Sequence, residues 1–395
     1  MRILYLCNAF DERTRTERGV TTDSPAASRK VFETGDALRK SGLSVAVLSF
    51  GRGRTTGSGI WHAAIKRRVG SLPVFYMPFL DTRVLSEIVS LFSPLCIIWG
   101  LRSKAKQTAL LAYNRHPANM LAVVLGWALG FRVILDLEDD EIPLREKPYS
   151  RALGLLYARV FDFFCSSGAL LASTALGETT GCLPKLVHYG VVNSLQPPTV
   201  PMANAPIRIL LSGTLMPSTG ADSFIKAVSR LRSEIGVNVH AIEFHVCGFG
   251  ASVGPILTLS LDHASPRIVW HGRLGTKEYS ALLASCHIGL SLKPPGGHLD
   301  KTTFPSKVVE YCSAGLLVLS TDVSDVRRVI GDDAEYLDRL SPELLANTML
   351  KLVENKHQIY VRAIKCQRHL MSLCSPIVVA DKIGQFIWST EGVNS

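Results

Sequence analysis

The stretch "TTFPSKVVEYCSAG", residues 302–315, combines polar groups that could bind a ligand with apolar residues that would anchor a helix. Thr303 can cap such a helix, with proline tolerated in the first turn, and Gly315 suits its end. A cation in the first turn, as at Lys307, is unfavourable at the positive end of the helix dipole unless an anion binds there. Glu310, one turn later, could accept hydrogen bonds from sugar hydroxyls. The block therefore predicts a nucleotide diphosphate site.

A second candidate site follows another apolar strand, in "ILDLEDDE". Asp136 and Glu138 share one face of that strand, and close carboxylates raise each other's pKa, which suits acid/base work. The cluster could also bind a metal or form a solvated turn. The acidic residues of this run are Asp136, Glu138, Asp139, Asp140 and Glu141.

Two further residues, Arg115 and His116 in "YNRHP", could line the same cleft as the acidic run. A lone histidine is more often structural than functional. "GFGASVG", residues 248–254, is similar to a dinucleotide-binding loop, but its glycine spacing is wrong and no acidic residue ends the next strand. Nicotinamide chemistry is therefore disfavoured.

The elements that must position these residues alternate between strand and helix. We expect strands at 2–10, 44–51, 73–80 and 168–174, one starting at about Val133, and a helix at 24–42. The pattern restarts with "IRILLSG" after a proline-rich segment. Alternation of this kind predicts parallel sheets in an α/β fold, with ligands at the carboxyl ends of the strands.

The domain organisation follows from the proline-rich segment "NSLQPPTVPMANAP", which fits no secondary-structure period. It is predicted to be a linker over 193–206, between a domain at 1–192 and a domain at 207–375. A C-terminal helix is predicted at 376–390. A length of 395 residues and 47% apolar content suit two domains with separate cores.

Charge and cysteine usage narrow the class of protein. The net charge is +10, and residues 1–200 hold 24 Lys and Arg against 16 Asp and Glu. A phosphorylated substrate, an anionic membrane surface, nucleic acid or a merely solvated surface could explain this excess. No motif that interleaves basic and aromatic residues appears, so nucleic acid is disfavoured as a partner.

Nine scattered cysteines without a C-x-x-C pair predict reduced thiols in the cytoplasm. No membrane-spanning helix or signal peptide is expected.

The block at 302–315 resembles the "FPSK-EY-AAG" variant of the donor-binding signature in group 1 glycosyltransferases, family 4, of the bacterial envelope-polysaccharide type. "ILLSGTLMPSTG", "FHVCGFG" and "HGRLGTKEYSALLASC" are similar to the family's surrounding segments and follow in its order. The resemblance implies the GT-B fold, an α/β architecture of two Rossmann-like domains facing a central cleft. It also implies sugar transfer from a nucleotide sugar, UDP- or GDP-linked, with retention and with no metal or other cofactor.

The resemblance also assigns roles to residues of the second domain. Glu310 would hold the donor ribose, and Lys307 would face the diphosphate and serve catalysis, together with the backbone near Thr303, Phe304 and Ser306. Further donor-binding residues would be Gly213, Thr214, Arg273 and Lys293. In the first domain, Glu138 or Asp139 would take the catalytic place usually held by histidine.

Three departures from the family stand out. Thr302 occupies the place of the first glutamate of E-x7-E, and Thr214 and Thr219 replace an arginine and a lysine that would contact phosphate. The glycine pair after the first strand is replaced by "TTDSPAASRK". On the acceptor side the resemblance therefore points to Ser24, Arg29, Lys30, Arg115 and His116.

The basic first domain would bind the acceptor, a lipid-linked saccharide or an oligosaccharide. The run at 66–68 and the apolar segment 84–106 could lie on an anionic membrane, which would place the protein on the inner face of the plasma membrane, or the segment could be core. The expected function is a hexosyltransferase of surface polysaccharide assembly. Two alternatives stay open: a nucleotide-sugar 2-epimerase, and an inactive membrane-associated scaffold of the same fold.

Overall fold

The computed structural model describes residues 1–55, 59–140, 142, 147–233 and 239–388. The chain divides into two compact units, one of residues 1–193 with 374–395 and one of residues 194–373. The segment predicted as a linker begins at this division and belongs almost wholly to the second unit. Glu141 and residues 389–390 of the predicted C-terminal helix lie outside the described residues.

The first unit is built on parallel strands. Its strands are β1 Arg2–Cys7, β2 Ser44–Ser49, β3 Trp61–His62, β4 Ile65–Val69, β5 Leu72–Tyr76, β6 Phe79–Leu80, β7 Thr108–Tyr113, β8 Arg132–Leu137, β9 Ala169–Leu171 and β10 Lys185–Val187. Within the described residues, eight of them form one sheet in the order β10-β9-β8-β7-β1-β2-β5-β4. The pairs are parallel except β4 with β5. The strand order reverses between β1 and β7, where open α/β sheets bind ligands.

Helices connect these strands, as the alternating pattern predicts. They are α1 Glu12–Glu17, α2 Pro25–Lys40, α3 Arg83–Phe92, α4 Leu95–Gly100, α5 Met120–Ala128 and α6 Pro148–Phe164. The start of α2 agrees with its sequence, because the Ser24 side chain accepts from the backbone N–H of Ala27 and Pro25 is the first helical residue. The apolar face of α2, including Val31 and Leu38, is buried in the core of the unit.

The region after β2 differs from its prediction. The expected strand 73–80 is two short strands, because the chain breaks at 77–78 and β6 pairs with β3 in a separate antiparallel ribbon. The hairpin of β4 and β5 was missed. Its signals were the alternation in "IKRRV" and Gly70, which has φ +58° at the turn.

The second unit has six strands in one parallel sheet of the described residues: β11 Ile207–Thr214, β12 Ile242–Phe249, β13 Arg267–Trp270, β14 Ile288–Ser291, β15 Leu317–Thr321 and β16 Glu335–Leu337. Their order is β13-β12-β11-β14-β15-β16, which is the strand order of a dinucleotide-type doubly wound sheet. The order reverses between β11 and β14. Ligand chemistry is therefore expected where these two strands end.

The helices of the second unit begin with α7 Ala221–Ser233, α8 Val253–Leu261, α9 Thr276–Ser285, α10 His298–Thr302, α11 Ser306–Ser313, α12 Val326–Ile330, α13 Pro342–Glu354 and α14 Lys356–Cys374. The chain then returns to the first unit through α15 Pro376–Trp388, which packs against α2. Nine free cysteines are present, and all except Cys96 are buried.

One helical segment, Lys356–Trp388, is long and apolar enough to cross a membrane by length and composition, although the sequence predicted no spanning helix. Core helices of globular proteins pass the same test. Within it, α15 buries Val379, Ala380, Ile383 and Ile387 in the core of the first unit. That packing accounts for the apolar composition of α15.

Candidate functional site

The helix α11 carries the residues that the sequence singled out first. It begins at Ser306, with Pro305 rather than Thr303 at the N-cap position and without a side-chain cap. Its end agrees with prediction: the N–H of Gly315 donates to Cys312 and the N–H of Leu316 donates to Tyr311, which is a Schellman motif. Gly315 has φ +88°, so glycine is required there by the backbone.

A charged network lies on the first turns of α11. The Lys307 ammonium is 2.5 Å from Glu310 Oε2 and donates to the Tyr279 hydroxyl at 3.0 Å. The Tyr279 hydroxyl in turn donates to Glu310 Oε2 at 3.0 Å. The ammonium also lies 4.8 Å from the centre of the Tyr279 ring. The two predicted donor-binding residues therefore occupy one site, held by a tyrosine that the sequence analysis missed.

Buried hydroxyl groups anchor this network to the sheet. Ser212, near the end of β11, receives contacts from Tyr279 at 2.8 Å through its Oγ and from Tyr311 at 2.9 Å. The backbone N–H of Ser212 also donates to the Tyr311 hydroxyl. Burial raises the pKa of Tyr279 and of Tyr311, so both stay protonated as donors. A serine ending the apolar run "ILLS" was the sequence signal for this anchor.

Glycines keep the backbone open next to Lys307. Gly213 has φ +114°, and a Cβ added there would lie 3.3 Å from Lys307 Cε. Gly248, the partner of Gly213 across the β11–β12 pair, would place a Cβ against the carbonyl oxygen of Gly213. Both strand ends therefore require glycine, and they leave backbone groups close to the ammonium.

The loop after β11 is folded by threonine hydroxyls. Thr219 Oγ1 donates to the carbonyl of Thr214 at 2.6 Å and accepts from the N–H of Met216 at 3.0 Å. These two threonines stand where the resembled family has cations. In this chain they shape the loop and carry no charge.

Arg273 and Lys293, predicted to supply the missing positive charge, have contacts with the ends of neighbouring strands. The exposed Arg273 guanidinium is 5.3 Å from the centre of the Phe249 ring, beyond the end of β12. The backbone carbonyl of Lys293 accepts from Thr321 Oγ1 at 2.6 Å, which ties the loop after β14 to the end of β15. Burial lowers the pKa of Lys293, although Asp300 opposes the shift.

Two buried polar atoms precede α11. In the described part of the chain, Asp300 Oδ1 and Thr303 Oγ1 have no hydrogen-bond partner, while the other oxygen of Asp300 accepts from the N–H of Gly296. Thr302 is also buried, and Phe304 is half-buried while Ser306 is exposed. Unpartnered buried atoms cost free energy unless a ligand or water completes them.

The first unit holds a second charged cluster. The Lys30 ammonium pairs with Glu138 and lies 3.8 Å from Asp136 Oδ1. Asp136 is fully buried at the end of β8, and its other oxygen accepts from the Tyr5 hydroxyl of β1. Burial lowers the pKa of Lys30, although Asp136 stabilises its charge.

Backbone geometry holds Glu138 at this cluster. Asn114, at φ +54°, accepts the Glu138 N–H on its Oδ1 at 2.8 Å and donates its own N–H to the Asp136 carbonyl at 2.7 Å. Such a conformation is uncommon for a residue other than glycine. Asp139 is half-buried and Asp140 is buried beside it.

The remaining acceptor-side residues lie at different places. Arg115 pairs with Asp162 at 3.0 Å and donates to the Thr179 carbonyl, so it ties α6 to the segment after β9. His116 accepts from Ala118, and burial and then Arg52 lower its pKa to about 4. Ser24 and Arg29 are exposed at the start of α2. Within the described part of the chain, Lys30 is the member of this set that pairs with Glu138.

A metal site was one of the possibilities for the acidic run. Among the described residues, His, Cys, Asp and Glu side chains form no group of three that could hold a metal ion.

Most of the second unit matches a known protein family. Residues 206–355 match the family described as glycosyl transferases group 1. This segment includes the whole Lys307–Tyr279–Glu310 network. No curated protein matches the sequence.

Solved structures match over almost the whole chain. A sucrose-phosphate synthase from Thermosynechococcus elongatus superimposes with a TM-score of 0.67 at 12% identity, covering 98% of each chain. HepE from Anabaena in complex with UDP gives 0.66 at 14%, covering 98% of this chain and 100% of HepE. A trehalose-phosphate synthase from Burkholderia xenovorans with glucose-6-phosphate gives 0.68 at 10%, covering 98% and 100%.

These identities establish the fold alone. The parallel sheets of both units match GT-B glycosyltransferase structures, so the predicted fold class is confirmed. Residues 206–355 therefore match the group 1 glycosyltransferase family, in a chain that has the GT-B fold.

Proposed function

We propose that this protein is a glycosyltransferase that moves a sugar from a nucleotide sugar to a saccharide acceptor. The observation that carries the proposal is the Lys307–Tyr279–Glu310 network, which stands beside Gly213 at the carboxyl edge of β11. A diphosphate there would pair with the Lys307 ammonium in place of Glu310 and would accept hydrogen bonds from backbone N–H groups at the N-terminus of α11. Glu310 would keep its bond from Tyr279 and accept hydrogen bonds from the ribose hydroxyls.

The chemistry follows from these placements. The bond between the sugar C1 and the phosphate oxygen breaks, and its electron pair leaves with the nucleotide diphosphate. The acceptor hydroxyl oxygen bonds to C1 on the same face, so configuration is retained, and its proton passes to the departing phosphate oxygen. Lys307 and the α11 amides stabilise the charge that develops on the leaving group. The proposed reaction uses no metal or other cofactor.

The acceptor is assigned to the first unit. Glu138, held by Lys30 and by Asn114, presents a carboxylate oxygen at the end of β8 that could receive a hydrogen bond from the acceptor hydroxyl. Asp139 follows it at the same edge. Ser24 and Arg29 are exposed at the start of α2 and would contact further parts of the acceptor.

The sugar of the donor is assigned to the segment before α11. Thr302 lacks the carboxylate that the resembled family uses, but Asp300 is two residues away with one buried oxygen unpartnered. Thr303 Oγ1 is unpartnered in the same way. A sugar with adjacent hydroxyls would satisfy both atoms, and so we propose that they complete the donor site.

The finer identity of the reaction is also part of the proposal. UDP is favoured as the nucleotide over GDP because HepE, which shares the fold, was solved with UDP. The acceptor is proposed to be a lipid-linked saccharide of a bacterial surface polysaccharide. The protein would then work in the cytoplasm, on the inner face of the plasma membrane.

A chromatographic assay separates this function from its alternatives. The purified protein is incubated with UDP-glucose, UDP-galactose, UDP-N-acetylglucosamine and GDP-mannose, with and without detergent-extracted lipid-linked saccharides. A transferase releases UDP or GDP together with a longer saccharide. An epimerase forms a new nucleotide sugar without acceptor, and an inactive scaffold forms neither.

Matched variants identify the residues responsible. Lys307→Met should abolish transfer because it removes the cation from the leaving group. Lys365→Met removes an exposed cation of the same unit, which pairs with Asp333, and should leave transfer unchanged. Equal activity of both variants would overturn the role of Lys307.

A further inference from the structure

Four helices of the first unit carry large apolar side chains on their outer surface. They include Phe92 of α3, Trp99 of α4, Trp127 of α5, and Leu153, Leu156 and Phe163 of α6, which are between 43% and 65% exposed. Single exposed apolar residues are ordinary, but a contiguous set on neighbouring helices marks an interaction surface. We call this set the α3–α6 face.

The face is continuous because its helices touch. The helix α5 packs against α3, α4 and α6. The rings of Trp127 and Phe163 lie 5.9 Å apart, which joins α5 to α6 at the surface. The exposed aromatic and aliphatic groups therefore form one patch.

The helix α6 has apolar side chains on both its inner and its outer side. It buries Gly154, Ala158 and Phe161, while Leu153 and Phe163 point outward. A helix with apolar residues on both sides is stable when both sides are covered. Something is therefore expected to cover the outer side of α6.

The charges around the face are basic. Arg102, Lys104 and Lys106 are exposed after α4, and Arg151 and Arg159 are exposed on α6. The two acidic side chains on α3 and α6 are engaged within the unit. They form the pairs Arg52–Glu87 at 2.9 Å and Arg115–Asp162 at 3.0 Å. The surface that would cover this face must be apolar at its centre and anionic at its edge.

The apolar segment of the face formed by α3 and α4 is too short to span a membrane. Leu85–Gly100 is a short apolar helical stretch, about 24 Å long at 1.5 Å per residue, against about 30 Å of hydrocarbon. Short amphipathic helices with basic residues and tryptophan instead lie in the interface of a bilayer.

We propose that the α3–α6 face docks on an anionic lipid bilayer, with Trp127 and Phe163 at the acyl boundary and the basic residues at the headgroups. This rests on the proposed function for its purpose, since a lipid-linked acceptor would be presented there. The basic run at 66–68, expected to take this role, does not join the face. Lys66 lies 5.4 Å from the Phe75 ring and Arg67 pairs with Glu17 on the β4 side of the sheet.

Co-sedimentation of the full chain with vesicles tests the proposal. The protein should bind vesicles of phosphatidylcholine with phosphatidylglycerol and bind phosphatidylcholine alone much less. The double variant Trp127→Ser/Phe163→Ser should reduce binding at least tenfold, because the two rings together contribute at least ~1.4 kcal/mol when they enter the acyl region. Arg151→Glu/Arg159→Glu should remove the preference for the anionic lipid.

The controls separate this proposal from its rivals. Leu261→Ser changes an exposed leucine of the second unit and should bind vesicles as the unaltered protein does. Absence of binding to anionic vesicles, or equal binding by the Trp127→Ser/Phe163→Ser variant, would overturn the proposal. So would a stable dimer, seen by light scattering, that this variant dissolves, because the face would then be covered by a second copy.

Titration of UDP into the same variants keeps the two proposals distinct. Unchanged UDP affinity in Trp127→Ser/Phe163→Ser shows that the second unit is folded, and an unchanged urea unfolding curve shows the same for the first unit. Vesicle binding without nucleotide binding would support membrane docking by the α3–α6 face and contradict the proposed function. Nucleotide binding without vesicle binding would support the proposed function and contradict membrane docking.

Discussion

The two charged clusters, one in each unit, both lie at the carboxyl ends of parallel strands but differ in accessibility. Lys30 belongs to the edge where β1, β7 and β8 end, and its side chain is 10% exposed. Lys307 stands where β11 ends, and its side chain is 35% exposed. The buried ammonium of Lys30 is held by its carboxylates, whereas the partly exposed ammonium of Lys307 can pair with an incoming anion.

The neighbours of each lysine explain the difference. In the first unit, Tyr5 and the fully buried Asp136 close the cluster from the sheet side. In the second unit, Gly213 and Gly248 have no side chains, so the space in front of Lys307 is bounded by backbone. Similar charges at the carboxyl edges of the two sheets therefore differ in accessibility: the buried Lys30 holds Asp136 and Glu138 in place, whereas Lys307 is open to an incoming anion.

The largest expected effect is on folding of the first unit. Lys30→Met would leave Asp136 and Glu138 without their buried cation, which costs about 3–5 kcal/mol of unfolding free energy. Lys40→Met, which breaks the exposed pair with Asp36, should cost about 0.5 kcal/mol or less. Urea unfolding followed by tryptophan fluorescence measures both.

Two outcomes decide whether the Lys30 cluster is a structural ion network. If Lys30→Met is no more destabilising than Lys40→Met, the cluster is not sealed and the contrast between the units fails. If the second change Asp136→Asn in the Lys30→Met background restores part of the lost stability, the charge of Asp136 is the cause.

The second-largest expected effect is a loss of folding stability at acidic pH. Burial and a neighbouring arginine lower the pKa of His116 in the first unit and of His287 in the second to about 4. The unfolded chain binds these protons near pH 6.5, so it holds more protons than the folded state between these values. Stability is therefore full above about pH 6.5 and falls towards pH 4, by up to ~3 kcal/mol for each histidine.

Urea midpoints across this pH window check the histidine prediction. His287→Gln should flatten the pH dependence of the second unit, and His116→Gln should flatten that of the first. An unchanged slope in both variants would mean that these imidazoles are not held neutral by burial.

A smaller effect tests how Glu310 is positioned. Tyr279→Phe removes the hydroxyl that contacts Ser212, Lys307 and Glu310, and should weaken UDP binding about tenfold, or ~1.4 kcal/mol. Tyr336→Phe, which removes a hydroxyl bonded to the Gly331 carbonyl, should leave UDP binding unchanged. Calorimetry gives both dissociation constants, and equal values would remove Tyr279 from the site.

The smallest effect concerns the sugar of the donor. Asp300→Asn should weaken binding of the preferred nucleotide sugar about fivefold, or ~1 kcal/mol, and leave UDP alone unaffected. Asp262→Asn, on an exposed carboxylate, serves as the matched control. An equal loss for UDP and for the nucleotide sugar would show that Asp300 supports the loop rather than the sugar.

Sequence patterns predicted the parts of the fold that depend on local chemistry. The parallel strands were visible as apolar runs, α2 as the helix expected at 24–42, and the end of α11 as Gly315. The hairpin of β4 and β5 was missed because its alternation "IKRRV" is short and sits between apolar strands.

The part of the candidate site that depends on local spacing was also predicted from the sequence. Lys307 and Glu310 share one helix turn, so their spacing alone predicts proximity. Tyr279 lies 28 residues before Lys307 and reaches it only through the pairing of distant strands, which no local pattern encodes. The partnership of Lys30 with Glu138 spans 108 residues and was invisible for the same reason.

Calorimetric titration of UDP and GDP into the unaltered protein and into Glu310→Ala tests the central claim most directly. If Glu310 holds the ribose, one nucleotide binds the unaltered protein and its affinity falls by about 100-fold or more in Glu310→Ala, since two hydrogen bonds to a carboxylate are lost. Glu343→Ala, on an exposed carboxylate of α13, should bind as the unaltered protein does. Equal affinity of Glu310→Ala and the unaltered protein, or binding of neither nucleotide, would contradict the account.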